Sequence, residues 1–126
     1  MRPIAQLVTN NPAAAAKYED MYEVVFVEGT AAAVITAVRD FIHTGRRLLT
    51  HPLASSVPPK DSPYKSVLIS GEASAGPPDF DSLRIIEGAA AVYSKIDVTK
   101  INIPQAIAED FMAIDCEMLA GRINPR

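Results

Sequence analysis

His51 is the residue best placed to exchange protons near neutral pH, since an imidazole titrates in that range, and Ser55 and Ser56 follow it closely. A histidine beside serines could supply a nucleophile and its base. Such a pair is defined by geometry, however, and no glycine-framed serine elbow surrounds either serine. The other reading of His51-Pro52 is a turn in which the imidazole bonds a backbone group. His43 falls opposite the apolar stripe of its own helical segment and is expected to face water.

Anion binding draws on a different set of residues. Asn10-Asn11 and Glu28-Gly29-Thr30 each stand between a strand pattern and a helix pattern, where Asn11 and Thr30 can cap the helix that follows. The unpaired N–H groups of a helix start attract a carboxylate or phosphate. Thr50 and His51 end a third strand pattern, which makes Asn10, Asn11, Glu28, Thr30, Thr50, His51, Ser55 and Ser56 the candidate ligand-binding residues. Capping alone also accounts for Asn11 and Thr30.

Asp115 conflicts with its surroundings. At the helical period Ile107, Phe111, Ile114 and Met118 form one apolar stripe, Ala108, Met112, Cys116 and Leu119 another, and Asp115 falls between them. A carboxylate on a buried face needs a partner or a raised pKa. It is expected to be a buried acid, either a proton donor or ligand contact, or a structural carboxylate anchoring a loop's backbone N–H groups or an arginine. Cys116 reads as a small core residue with no basic neighbour in sequence to activate it.

Several chemistries are disfavoured. The chain has no GxGxxG, no glycine loop ending in Lys-Ser or Lys-Thr, no CxxC and no HExxH. Two histidines and one cysteine offer little for zinc, so neither a metal nor a cofactor is expected. A net charge of -3 with scattered lysines and arginines gives no footprint for nucleic acid. No apolar run is long enough to cross a bilayer, no secretory leader pattern opens the chain, and the lone cysteine suits a reducing compartment. A cytoplasmic protein is expected.

The elements that would position these residues alternate between strand and helix. Ala5–Thr9 and Glu23–Val27 read as strands, with helical segments running from Pro12 through Asp20 and from Ala31 to Thr44. Gly45 is the expected stop of the second helix. Arg47–His51 and Lys65–Ser70 read as two further strands. The proline-rich loop between them, with Pro52, Pro58, Pro59 and Pro63, offers no crossover helix, so the last strand is expected to run antiparallel. A helix capped by Asp79 or Asp81 carries Leu83, Ile85, Ile86, Ala89, Ala90, Val92, Tyr93 and Ile96 on one broad face, and another runs from Pro104 to Gly121. The expectation is one α/β domain over residues 1–126, built on a mostly parallel sheet of about four strands with an antiparallel edge strand and helices on both faces. Crossover handedness then gathers the ends of the first three strands at one edge.

Val8-Thr9-Asn10-Asn11-Pro12, the block from Val38 to Leu53 with its Leu-Leu-Thr-His-Pro-Leu centre, Ser62 to Ser70, and Asp79-Phe80-Asp81-Ser82-Leu83 together resemble the GrdX family. The resemblance implies a genomic setting beside the glycine, sarcosine and betaine reductase systems of amino-acid-fermenting bacteria, and it carries no catalytic residue over. The preferred expectation is an accessory or regulatory protein of that metabolism that binds a small anionic metabolite at the sheet edge and has a reductase-system protein as partner. A small enzyme acting on a carboxylate or acyl phosphate, with His51 as acid or base, is one alternative. A protein-interaction module is another, and self-association is left open.

Overall fold

The computed structural model describes residues 5–53, 63–73, 75–96 and 105–123. Strand β1 (Ala5–Thr9) is followed by helix α1 (Pro12–Tyr18), β2 (Glu23–Phe26), α2 (Ala31–His43), β3 (Ser66–Ser70), α3 (Phe80–Ser94) and α4 (Gln105–Ile123). The strand order is β2-β1-β3. β1 pairs in parallel with β2, with Gln6 beside Glu23 and Thr9 beside Phe26. It pairs antiparallel with β3, with Ala5 opposite Ser70 and Thr9 opposite Ser66.

The alternation of side chains along these strands divides the core into two layers. Val8, Val67 and Ile69 face Val34, Ile35, Val38 and Ile42 of α2 and Ile86, Ala89 and Tyr93 of α3. Ala5, Leu7 and Leu68 face the other way, onto Ala14 and Tyr18 of α1 and Leu119 of α4. Burying a side chain such as Leu7 or Ile35 contributes roughly 1.5–3 kcal/mol, and both are essentially inaccessible.

The helix starts follow the sequence signals. Asn11 caps α1 through a bond from Ala13 N, with Pro12 in the first turn. Thr30 caps α2 and Asp79 caps α3. α2 ends at Gly45, whose φ of 106° is one that a residue with a Cβ rarely adopts. The last helix differs from expectation at its end. It continues through Gly121 to Ile123, and Pro104, its expected start, lies outside the described residues.

The sheet also differs from the expected mostly parallel, four-stranded one. It has three regular strands and mixed direction, and β3 is the antiparallel edge strand of that set. The segment expected as a further strand, Arg47–His51, contributes only the bridge between Leu48 and Ile69. Two side-chain hydroxyls end its ladder. Thr50 Oγ1 takes the Leu68 amide at 3.0 Å, which in a continuous antiparallel ladder would bond the Leu49 carbonyl. Ser70 Oγ takes the Arg47 amide at 2.9 Å in place of the Ser70 carbonyl. That carbonyl instead receives Arg46, whose guanidinium also bonds Gln6 Oε1 and the Gly71 carbonyl and so ties together the edge opposite Thr9.

Candidate functional site

Four backbone stretches meet at the other edge of the sheet. β1 and β2 end there, β3 begins there antiparallel to β1, and Thr50 reaches it beside Leu68. Asn10 binds three of these stretches together. Its amide nitrogen donates to the carbonyls of Gly29 at 3.0 Å and Pro63 at 2.9 Å, and its oxygen accepts the Lys65 amide at 2.8 Å. The amide group of Asn10 is thereby used up in holding the Gly29 and Pro63–Lys65 backbones in place.

Asn11 does the same for α4. Its Nδ2 donates to the Met112 carbonyl and to Asp115 Oδ2, both at 3.0 Å, and its oxygen caps α1. Asp115 Oδ2 also accepts the Ser66 hydroxyl at 2.6 Å. Because Ser66 gives its single proton to the carboxylate, the Thr9 hydroxyl must donate across the 2.7 Å separation between Thr9 and Ser66. Thr9 in turn accepts the Asn11 amide at 2.9 Å. The result is a directed chain from Asn11 N–H through Thr9 and Ser66 to Asp115. Asp115 is thus held by side chains, where backbone N–H groups or an arginine were the expected structural anchors, and it is partly exposed where a buried acid was expected. It lines a cavity instead of being sealed between stripes.

That cavity, of about 20 Å³ and open to solvent on one side, is lined by Thr50, His51, Lys65, Ser66, Asp115, Met118, Leu119 and Arg122. It has room for about one water molecule in its depth. Lys65 is the unusual member. Only 6% of its surface is exposed, and no hydrogen bond or ion pair engages its ammonium among the described residues. Burial pushes its pKa below the ordinary lysine value, and the negative charge of Asp115 pulls it part of the way back. His51 uses Nδ1 to accept the Leu53 amide at 3.1 Å. That is the turn role, and it places the proton of the neutral ring on Nε2.

The structure therefore gathers some of the sequence candidates and separates others. Thr50, His51 and Asp115 share the cavity. Asn10 and Asn11 lie behind it as clamps. Thr30 is exposed and caps α2 at Ala33 N, Glu28 is exposed, and neither lines the cavity. Ser55 and Ser56 lie outside the described residues. His43 is exposed and bonds Glu87 at 3.1 Å.

Lys65, Ser66 and Arg122 were not singled out from sequence. A lysine opening the apolar run Lys65-Ser66-Val67-Leu68-Ile69 was the available signal. Cys116 is partly buried against the α1–α4 layer, and burial, followed by the Asp115 charge, raises its thiol pKa. It is accordingly a poor nucleophile. Tyr93 presents a buried hydroxyl with no hydrogen-bond partner among the described residues, and burial, with the Asp115 charge adding to it, pushes its pKa up to about 12. Among the described residues no group of three or more His, Cys, Asp or Glu side chains could hold a metal, and no helix is long and apolar enough to cross a membrane.

Fold and site together define a small mixed α/β domain with a polar, lysine-floored cavity at one sheet edge. The chain belongs to the GrdX-like protein family, which matches residues 6–124. Neither the comparison with curated proteins nor that with solved structures found a match.

Proposed function

We propose that this domain is a cytoplasmic accessory or regulatory protein that binds the carboxylate or similar oxyanion head of a small metabolite in the Lys65 cavity. The observation that carries this reading is Lys65, a lysine only 6% exposed that lines the cavity beside Asp115, with no acceptor for its ammonium hydrogens among the described residues. Asp115 offsets only part of the cost of enclosing that cation, and a bound anion adds to the compensation. Lys65 and Arg122 bring two positive charges to the cavity and Asp115 one negative charge, which leaves a net charge suited to a monoanion. The hydroxyl of Thr50 and the Nε2 proton of His51 add neutral donors.

The depth of the cavity admits only a head group, so the remainder of the ligand projects through the open side. The reductase setting implied by the family resemblance supports a carboxylate, because glycine, sarcosine and betaine all carry one. Binding is favoured over catalysis by His51, because the ring's Nδ1 is committed to the Leu53 amide and is not free to act as a base.

Thermal melts of the chain with acetate, glycine, betaine, acetyl phosphate and chloride at fixed ionic strength test the reading, since a ligand of the native state raises Tm. At least one carboxylate or acyl phosphate should raise Tm above the chloride control. Indistinguishable melts across the set would contradict it.

A further inference from the structure

The reaction inferred here rests on the anion-binding reading of the cavity and adds a covalent step to it. We infer that the Lys65 amine forms a reversible imine with a small 2-oxo or aldehyde carboxylate seated in the cavity.

Lysines on the surface of this protein, such as Lys17 and Lys95, are exposed to water. Lys65 is almost wholly enclosed, has no acceptor for its protons among the described residues, and opens onto a cavity. Enclosure favours the neutral amine, whose lone pair is the nucleophile, and this is how desolvated lysines become carbonyl-reactive. Burial outweighs the opposing pull of Asp115 at this position. Arg122 and the Nε2 proton of His51 supply the charge and the donor that would hold the ligand's carboxylate. A carbonyl carbon next to that carboxylate is then brought to the amine.

The step balances without an oxidant or reductant. The amine nitrogen bonds the carbonyl carbon as the carbonyl π bond opens, giving a carbinolamine. Both amine protons end on the former carbonyl oxygen, which departs as water through the open side as the C=N bond forms. Asp115 is the group able to carry a proton between the two. Its Oδ2 is fixed by Asn11 and Ser66, while its other oxygen takes no hydrogen bond among the described residues.

Reductive trapping tests the inference on the full chain. The protein is incubated with glyoxylate, the smallest 2-oxo acid, and cyanoborohydride, and the carboxymethylated lysines are mapped by mass spectrometry over time. Lys65 should gain one carboxymethyl group several-fold faster than the exposed Lys17 or Lys95, because burial holds its pKa below the ordinary lysine value and leaves more of it as neutral amine. Excess acetate should slow Lys65 and leave the other two unchanged. In Lys65→Met only the slow background should remain, though the map on the wild-type chain decides the matter whether or not that variant folds. Labelling of Lys65 at or below the rate of Lys17 and Lys95 would overturn the imine. If Lys65 labelled only at that background rate while glyoxylate without reductant still raised Tm, the imine would fail and anion binding would stand. If glyoxylate and the other anions all left Tm unchanged and Lys65 labelled at background rate, both would fall.

Discussion

Ser66 Oγ lies 2.6 Å from Asp115 Oδ2, and this contact joins the first residue of the antiparallel strand to the middle of the last helix. Together with the bond from Asn11 to the same oxygen, it fixes α4 against the sheet edge and sets one wall of the cavity. Asp115→Ala leaves two partly buried donors unpaired, each costing about 1–3 kcal/mol when fully desolvated. Denaturant melts should show a loss above about 1 kcal/mol for Asp115→Ala and less than about half that for the exposed Glu117→Ala. Equal, small losses would mean that α4 is not anchored through Asp115.

Thr50 gives a second test, aimed at the sheet. Thr50→Val keeps the shape and removes the acceptor of the Leu68 amide, so the variant should lose about 1–3 kcal/mol. The Leu68 amide should exchange its hydrogen faster in native-state exchange experiments. Unchanged protection at Leu68 would show that another acceptor replaces the hydroxyl.

Tyr93→Phe should stabilise the protein at neutral pH, because it removes a buried hydroxyl that has no partner among the described residues. The native pKa of Tyr93 is raised from 10.0 to about 12. The native state therefore holds its proton longer than the unfolded chain does, and stability falls as pH climbs from 10 toward 12. The full effect is roughly 2–3 kcal/mol. The variant should lack this alkaline loss when unfolding is followed against pH.

Lys65 acts with the opposite sign. Its native pKa lies below the ordinary 10.5, so the unfolded chain binds the proton more readily, and stability rises with pH through the window from the native value up to 10.5. Lys65→Met removes the buried charge. It should be more stable than the wild type at neutral pH, with the difference shrinking as pH approaches 10.5. A constant difference across that range would mean that the ammonium is solvated.

Much of this fold is legible in local chemistry. Asn11-Pro12, Thr30, Asp79 and Gly45 mark helix ends where the structure has them, because capping depends on a few adjacent residues. The antiparallel direction of Lys65–Ser70 follows from a proline-rich connection that offers no crossover helix. The strand count was not legible, because it turns on Thr50 and Ser70 offering hydroxyls where backbone groups would otherwise pair, a competition that no hydrophobic pattern records.

The candidate site was half legible for a similar reason. Asp115 stands out because it interrupts two apolar stripes, and Thr50 and His51 because they end a strand pattern. Asn10 and Asn11 carry the right chemistry for a ligand but spend it on Gly29, Pro63, Lys65, Met112 and Asp115. Lys65 escapes notice because a lysine at a strand start is usually solvated, and its enclosure depends on residues distant in sequence, Thr50 and His51 on one side and Asp115, Met118 and Leu119 of α4 on the other.

The most direct test of the central claim is to map where a small carboxylate binds, by following backbone amide shifts in nuclear magnetic resonance spectra as acetate is titrated against a chloride control. Saturable shifts are expected at Thr50, His51, Lys65, Ser66, Asp115 and Arg122, absent in Lys65→Met and retained in Lys95→Met. Shifts centred on Gly29, Thr30 and the first turn of α2, or shifts that persist unchanged in Lys65→Met, would contradict that claim.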